Sequence, residues 1–357
     1  MSAAQWRKAM NSAATSTVAR LPGASGSTAS ARTTARVEPA VPDLYADSNA
    51  PRWLKFIWRT VSARHVLSLV ALSLTFLSGY GGMVSLAQMT VAGVAGYTVA
   101  ILGTSGTELS LGWPWGVVIV FALAAAVASS VLIGWLSVRT EGIYTIMITL
   151  AIGVAFYYLA LQNYSVFNGF QGFQRVYPPT VFDVDWRSPL PFYFMSLFFA
   201  LAGYFGVKYL VRAPFGIALQ GIRDNPRRMN SLGYNVTAHR VAAYAVAGLL
   251  AGIAGVLLVW YNGLITPGSI GTSWLINILV IAVLGGMKHP IGPFLGALVF
   301  VLLQTFAIDL VDRERFNLVI GGAFLAIVLF SPDGLLGLWE RLKARLQRGK
   351  SVSSSVR

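Results

Sequence analysis

The chain has 357 residues, 55% hydrophobic and only 11% charged, with a formal net charge of +14. A soluble domain carries about 25% charged residues, and the apolar residues here gather in runs that suit a hydrocarbon core of about 30 Å, so a soluble globular fold is excluded. The absence of cysteine excludes disulfides, Cys-ligated zinc and thiol nucleophiles; the three histidines, His65, His239 and His289, lie outside the apolar cores and argue against a His-based metal site or catalytic triad.

So basic a chain invites a nucleic-acid reading, but the charge is not spread as that reading needs. Residues 1–64 hold nine basic and three acidic residues, 208–240 six and one, and 333–357 six and two, while the rest of the chain sums to −1. Basic residues gathered between and beside apolar spans are the positive-inside signature of a membrane protein, and no nucleic-acid partner is expected.

In chain order, residues 1–51 form a Ser/Ala/Arg-rich tail with too little apolar surface to fold. The composition has the look of a transit peptide; a disordered bacterial tail, or a start codon placed upstream, is the simpler reading and is preferred. Residues 52–64 place Arg52, Lys55, Arg59 and Arg64 among Trp53, Phe56, Ile57 and Trp58, the pattern of a short basic interfacial helix on the cytoplasmic leaflet. Apolar segments follow at about 66–78, 84–102, 114–136, 142–161, 191–211, 241–259, 274–287, 291–308 and 317–330. The first, the last and 274–287 are short for spanning and need flanking residues to extend them.

Setting the basic 208–240 segment in the cytoplasm places the loops at 104–113, 162–190, 262–272 and 309–315 outside, with a net charge of −2. If 66–102 is one broken element that crosses once, there are about eight crossings and both termini are cytoplasmic. The expected fold is an all-α polytopic transmembrane bundle with broken helices, a membrane domain at 65–338 and a basic cytoplasmic tail at 339–357.

Three motifs stand out. Gly79, Gly81 and Gly82 fall within four residues and should break the helix in mid-membrane, with Ser85 and Gln88 placing polar groups beside the break. Freed backbone groups at that depth are tolerated only where protein or a water-lined cavity satisfies them, and broken helices are a mark of translocation pathways; close packing of small residues is the equal alternative.

The second motif is the loop within 212–240. Phe215, Leu219 and Ile222 recur at helical spacing behind Gly216, Pro226 can open a second short helix, and Gly233 can end it. With Arg223, Asp224 and Leu232 it is more elaborate than a connector needs, and it suits docking into a groove of a soluble partner or resting on headgroups. The third motif, a Gly/Pro-rich reversal, carries Gly285 and Gly286 before it and Gly292 and Gly296 spaced as a GxxxG contact face, for helix packing or gating.

No charged residue lies deep in any apolar segment, which argues against a proton- or sodium-driven carrier. Gly349-Lys350-Ser351 is no phosphate loop, because Ala344 stands where its first glycine belongs and no strand precedes it. No cofactor or metal site and no enzymatic site is expected in this chain.

These motifs together resemble the LivM-like permeases of branched-chain amino acid ABC importers. The resemblance runs from about 65 to 338 and rests on Gly79–Gln88 with Gly93-Val94-Ala95-Gly96-Tyr97-Thr98, Arg139-Thr140-Glu141-Gly142-Ile143-Tyr144, Pro214 to Thr237, Val283-Leu284-Gly285-Gly286, Gly292-Pro293-Phe294-Leu295-Gly296-Ala297 and Phe330-Ser331-Pro332-Asp333-Gly334-Leu335-Leu336-Gly337. It departs at Met83, where many relatives have a polar residue, and at Ala87-Gln88, where many have Gly-His. The resemblance implies a bacterial inner-membrane complex in the lipid bilayer: a second permease subunit, two cytoplasmic ATP-binding subunits and a periplasmic substrate-binding protein. ATP would be bound by those partner subunits. It also implies that Gly216 to Gly233 couples to an ATPase, and that the cargo is leucine, isoleucine, valine or a related compound. A permease for urea, short amides or another small solute is the alternative, followed by an ATP-independent channel or a membrane scaffold.

Overall fold

The computed structural model describes residues 52–106, 109–140, 142–180, 186–310, 321, 322, 325 and 334–337. The tails at 1–51 and 339–357 lie outside the described residues, as does nearly all of the span expected at 317–330.

The described chain is helical throughout. Helix α1 (Arg52–Thr75) ends in a π-helical turn (Phe76–Tyr80); α2 (Gln88–Leu102), α3 (Trp115–Ser137) and α4 (Ile143–Gln162) follow. After the short α5 (Tyr164–Phe167) come α6 (Pro189–Arg212), α7 (Pro214–Asp224), α8 (Pro226–Ser231), α9 (Val236–Asn262), α10 (Thr272–Gly285) and α11 (Gly292–Leu310). Two strands of two residues each, Phe173–Gln174 and Leu264–Ile265, pair antiparallel with Phe173 opposite Ile265.

Local chemistry explains where the helices begin. Pro189, Pro214 and Pro226 open α6, α7 and α8 from the first turn, where a missing N–H costs nothing. The side chain of Asn225 accepts from the Arg228 N–H at 3.0 Å, and that of Asn235 from the Ala238 N–H at 3.0 Å; each cap satisfies an otherwise orphaned donor. Gly263, at φ 66°, ends α9 in the left-handed conformation.

Six helices among the described residues are long and apolar enough to cross a membrane: Thr60–Tyr80, Trp115–Ser137, Ile143–Gln162, Pro189–Arg212, Val236–Asn262 and Pro267–Gly285. Gln88–Leu102 and Gly292–Gln304 are shorter apolar helices. The segments expected at 66–78 and 274–287 are indeed lengthened by their flanks. The boundary expected near 64 does not coincide with a helix end, because α1 runs unbroken from Arg52 to Thr75.

The expectation of a single crossing over 66–102 is corrected. His65 of α1 packs on Tyr193, ring centroids 5.5 Å apart, near the start of α6, whereas Gly79 packs on Met287 in the turn between α10 and α11. Helix α2 then returns: its Gly93 and Gly96 lie against Ile270 and Ile265 at the first end. Thus α1 and α2 are two antiparallel passes. One end of the bundle carries 163–180 and 263–271; the other carries 213–235 and 286–291. His65 is also buried, 6% exposed, rather than outside the apolar core.

Helix α9 packs on α1, α2 and α3, and α1 also on α6, α10 and α11, so α1, α2 and α9 form the centre of the bundle. Small residues permit this closeness. A side chain on Gly255 of α9 would meet the backbone of Ala92 in α2, and one on Gly248 would meet Ser130 of α3. The Ser130 hydroxyl donates to the Tyr244 carbonyl at 2.6 Å across the same crossing. In a bilayer, where lipid is as apolar as leucine, such contact and interhelical hydrogen bonding replace the hydrophobic effect as the glue.

Candidate functional site

The glycines at 79–82 do end the first helix. The backbone leaves the α form in the π turn Phe76–Tyr80, and Gly82 adopts φ 68°. Met83 N–H folds back onto the Leu77 carbonyl at 3.0 Å. From there the chain climbs through irregular backbone to Gln88, whose side-chain carbonyl accepts from the Ser73 hydroxyl at 3.2 Å. The Thr149 hydroxyl of α4 accepts from the Leu86 N–H at 3.1 Å. Freed backbone groups are therefore satisfied from within the bundle, as a nonaqueous medium requires.

The segment is rich in buried hydroxyls. Ser73, Thr75, Ser85, Gln88, Thr90, Ser137 and Thr149 are all at most 2% exposed. The Tyr244 hydroxyl lies beside Ser85 and Ser137. Thr75 Oγ1, Ser85 Oγ, Gln88 Nε2, Thr90 Oγ1, Ser137 Oγ and Tyr244 OH have no hydrogen-bond partner of normal geometry. A buried polar group left unpaired costs about 1–3 kcal/mol; the Ser85, Ser137 and Tyr244 hydroxyls lie next to one another and face this cost together. The sequence singled out Ser85 and Gln88; Thr75, Thr90, Ser137, Thr149 and Tyr244, which the fold buries around them, were not singled out. The available signal was hydroxyls at helical spacing within apolar runs, as in Thr145 and Thr149.

The three motifs read separately from the sequence meet at one end of the bundle. Helix α7 lies under the break, with Leu219 and Ile222 fully buried. Its Arg223 donates to the Gly79 carbonyl. A side chain on Gly82 would run into Arg223, and one on Gly81 would press on Met83 and just touch Leu219. Arg223 is itself held by Asp224, Nη2 to Oδ1 at 2.8 Å. On the other side of Gly79, the Ser78 hydroxyl reaches Met287 Sδ at 3.3 Å and the Tyr80 hydroxyl donates to the Lys288 carbonyl at 3.4 Å. Gly285, Gly292 and Gly296 stand where the backbones of α10 and α11 touch. Gly286 takes φ 103°, and a side chain on Gly334 would meet its backbone.

The remaining loop residues divide into two groups. Gly216 fits against the backbone of Leu210 and Val211, and Phe215 stacks on His239, centroids 5.9 Å apart and 12° from parallel. Ile217, Leu232 and Tyr234 are instead exposed, at 62%, 64% and 41%. Gly233, at φ 88°, sits in an open groove of about 540 Å³ with Arg227, Asn230 and Tyr234. Among the described residues, no cluster of His, Cys, Asp or Glu is placed to hold a metal.

The break therefore lies at the 213–235 end of the bundle, where Gly82 is exposed, and not in mid-membrane as expected; buried central helices with an ordered loop seated against such a break suit a multi-pass transport permease. The comparisons make the assignment specific: the family described as branched-chain amino acid transport system / permease component matches residues 57–329. The chain belongs to that family. It is 25% identical over 306 residues to the high-affinity branched-chain amino acid transport system permease protein LivM of Salmonella typhimurium, covering 79% of this chain and 70% of that protein. LivM of Escherichia coli K12 is 25% identical over 304 residues with the same coverage. The ribose import permease protein RbsC of Haemophilus influenzae is 27% identical over 155 residues, 42% of this chain and 46% of that protein. No solved structure matches.

Proposed function

We propose that this chain is the membrane-spanning permease subunit of an ABC importer for branched-chain or similar small neutral amino acids in a bacterial inner membrane. It works with a second permease subunit, two cytoplasmic ATP-binding subunits and a periplasmic substrate-binding protein. ATP is bound by the partners, and this chain does no catalysis. The observation that carries the reading is the seat of α7 against the break, through Arg223 and the Gly79 carbonyl. The ATPase engages Ile217, Leu232 and Tyr234, and its closure moves α7, which pulls on the end of α1 directly. The solute passes along the hydroxyl-lined break. Those groups are uncharged and few, so discrimination among solutes rests with the binding protein.

The test is affinity purification from the native membrane in mild detergent. Co-purification of an ATPase and a second permease is expected, and a solitary chain would sink the importer reading in favour of a channel or scaffold. A different small neutral solute is the second reading, supported by the uncharged break and the likeness to a ribose permease; a ligand screen on the cognate binding protein separates the two. For the route, Gln88→Leu should lower uptake while leaving thermal stability nearly unchanged, since it removes the unpaired Nε2 and the Ser73 hydroxyl, on losing Gln88, keeps its bond to the Val70 carbonyl. Full uptake by that variant would move the route elsewhere.

The basic 213–235 end faces the cytoplasm by the charge rule. Because α1 runs from the 163–180 end to the 213–235 end, Thr60 then belongs to the periplasmic end. The chain has no native cysteine, so single-cysteine variants report orientation without background. An impermeant maleimide added to intact spheroplasts should label Ser165→Cys and Thr60→Cys but not Ser231→Cys. Labelling of Ser231→Cys alone would invert the bundle.

A further inference from the structure

We propose that the 163–180 end of the molecule holds a phospholipid, its phosphate on Arg175 and one acyl chain in the cleft between α3 and α6. The inference does not rest on the transport reading. Helices α3 and α6 both turn apolar faces outward: Trp115, Phe121, Phe194 and Phe198 are each at least half exposed. Near their 163–180 ends a cleft of about 430 Å³ lies between them, walled by Trp115, Ile119, Phe194, Phe198, Phe199 and Trp260 among others. Water gains no hydrogen bonds from such a wall. An alkyl chain suits the cleft's apolar lining and its volume of about 430 Å³, and the guanidinium of Arg175 in the adjoining cavity gives it a charged end that a phospholipid matches.

The cleft continues into a second cavity of about 510 Å³ that shares Trp115, Ile119 and Trp260 and adds Thr104, Ser105 and Arg175. This second cavity has polar character. Ser105 Oγ is buried without a hydrogen-bond partner. Tyr177 lines the same cavity, and the Arg187 guanidinium lies over its ring, 3.8 Å from the centroid. Arg175 itself is held in an unusual way. Its backbone takes φ 58°, a conformation non-glycine residues rarely adopt, and its stem lies over Gly106, where a Cβ would come within 3.0 Å of Arg175 Cδ. No Asp or Glu among the described residues lines either cavity; Asp183 and Asp185 fall outside the described residues.

A guanidinium at the mouth of an apolar slot, ringed by tryptophans, has the layout of a phospholipid: anionic head at the interface, chain in the hydrocarbon. Arginine binds phosphate through paired N–H donors. The cleft and the break at Gly79–Gln88 share no lining residue, so this is not the solute route.

The test uses the full chain reconstituted in vesicles of phosphatidylethanolamine and phosphatidylglycerol that include a phosphatidylglycerol with a diazirine on its acyl chain. After irradiation, adducts should concentrate on 115–119 and 194–199. Arg175→Asn keeps a residue that tolerates positive φ and removes the charge; it should cut adducts in the cleft about fivefold, the effect of losing a charge-assisted bond. Adducts at Tyr158 and Leu159, exposed on α4, should not change. Ile119→Trp fills the cleft and should remove its adducts even if Arg175→Asn folds poorly. Even labelling of all membrane-facing helices, indifferent to Arg175, would overturn the proposal in favour of ordinary bulk lipid. Adducts abolished by a co-purified permease subunit would overturn it in favour of a protein contact.

Discussion

Arg223→Glu is expected to abolish substrate-stimulated ATP hydrolysis in the proposed complex and to lower uptake by at least about tenfold, a loss of about 1.4 kcal/mol in coupling, while the variant still folds. The guanidinium ties α7 to the Gly79 carbonyl and is itself paired with Asp224. A carboxylate at 223 would face a carbonyl oxygen on one side and Asp224 on the other, so attraction becomes repulsion at both contacts. A hydrogen bond to a charged group contributes about 1.5–3 kcal/mol, and partial exposure of Arg223 brings this toward the lower figure. Leu219 and Ile222 stay buried, which is why the fold survives. Arg223→Lys retains one donor and should recover part of the uptake. Gly82→Ala reaches the same end from the other side, because a methyl group there meets the Arg223 side chain and the backbone is already at φ 68°. Uptake and ATPase rates in proteoliposomes, with thermal stability measured in parallel, decide the matter; a fully coupled Arg223→Glu protein would disprove direct transmission through this contact.

The second large effect is on stability, and one substitution at two positions isolates it. Gly285→Ala should lower the thermal midpoint strongly, whereas Gly206→Ala leaves it unchanged or raises it, the two differing by about 2–4 kcal/mol. A Cβ on Gly285 would overlap the carbonyl of Gly292, so α10 and α11 must separate. Backbone cannot rotate away as a flexible side chain can, and overpacking of this kind costs about 1–3 kcal/mol. Gly206 has nothing within 4 Å of its would-be Cβ, and alanine there gains the ordinary helix preference of about 0.8–1.0 kcal/mol over glycine. Size-exclusion profiles after graded heating in detergent give the comparison. Equal midpoints would show that the α10–α11 contact is not close enough to matter. Gly296→Ala, directed at the Ile281 carbonyl, should follow Gly285→Ala.

The amino-acid sequence by itself determined the solvent and the parts list. Apolar runs of bilayer length leave no other medium that could bury them, and they mark the helices to within a few residues because hydrophobicity is a local property. The helix start at Pro226 was legible, since a ring that fixes φ and lacks an N–H acts within its own turn; Pro189 and Pro214 open α6 and α7 in the same way. The same locality made the helical pair at 214–231 readable from the spacing of Phe215, Leu219 and Ile222.

Tertiary structure alone decided what those parts do to one another. Nothing near Gly79 in the chain announces that its carbonyl will be taken by a residue 144 positions away, or that Met287 will stand over it. Such contacts follow from how whole helices pack, and small residues at the crossings permit many packings. The relation of α1 to α2 was open for the same reason: charge in the flanks favoured a single crossing over 66–102, and only the packing of His65 on Tyr193 at one end and of Gly79 on Met287 at the other makes α1 and α2 antiparallel. His65 was misplaced with it: its sequence position beside Arg64 suggests a wet edge, and only the approach of Tyr193 and Ser196 from α6 makes that edge an interior.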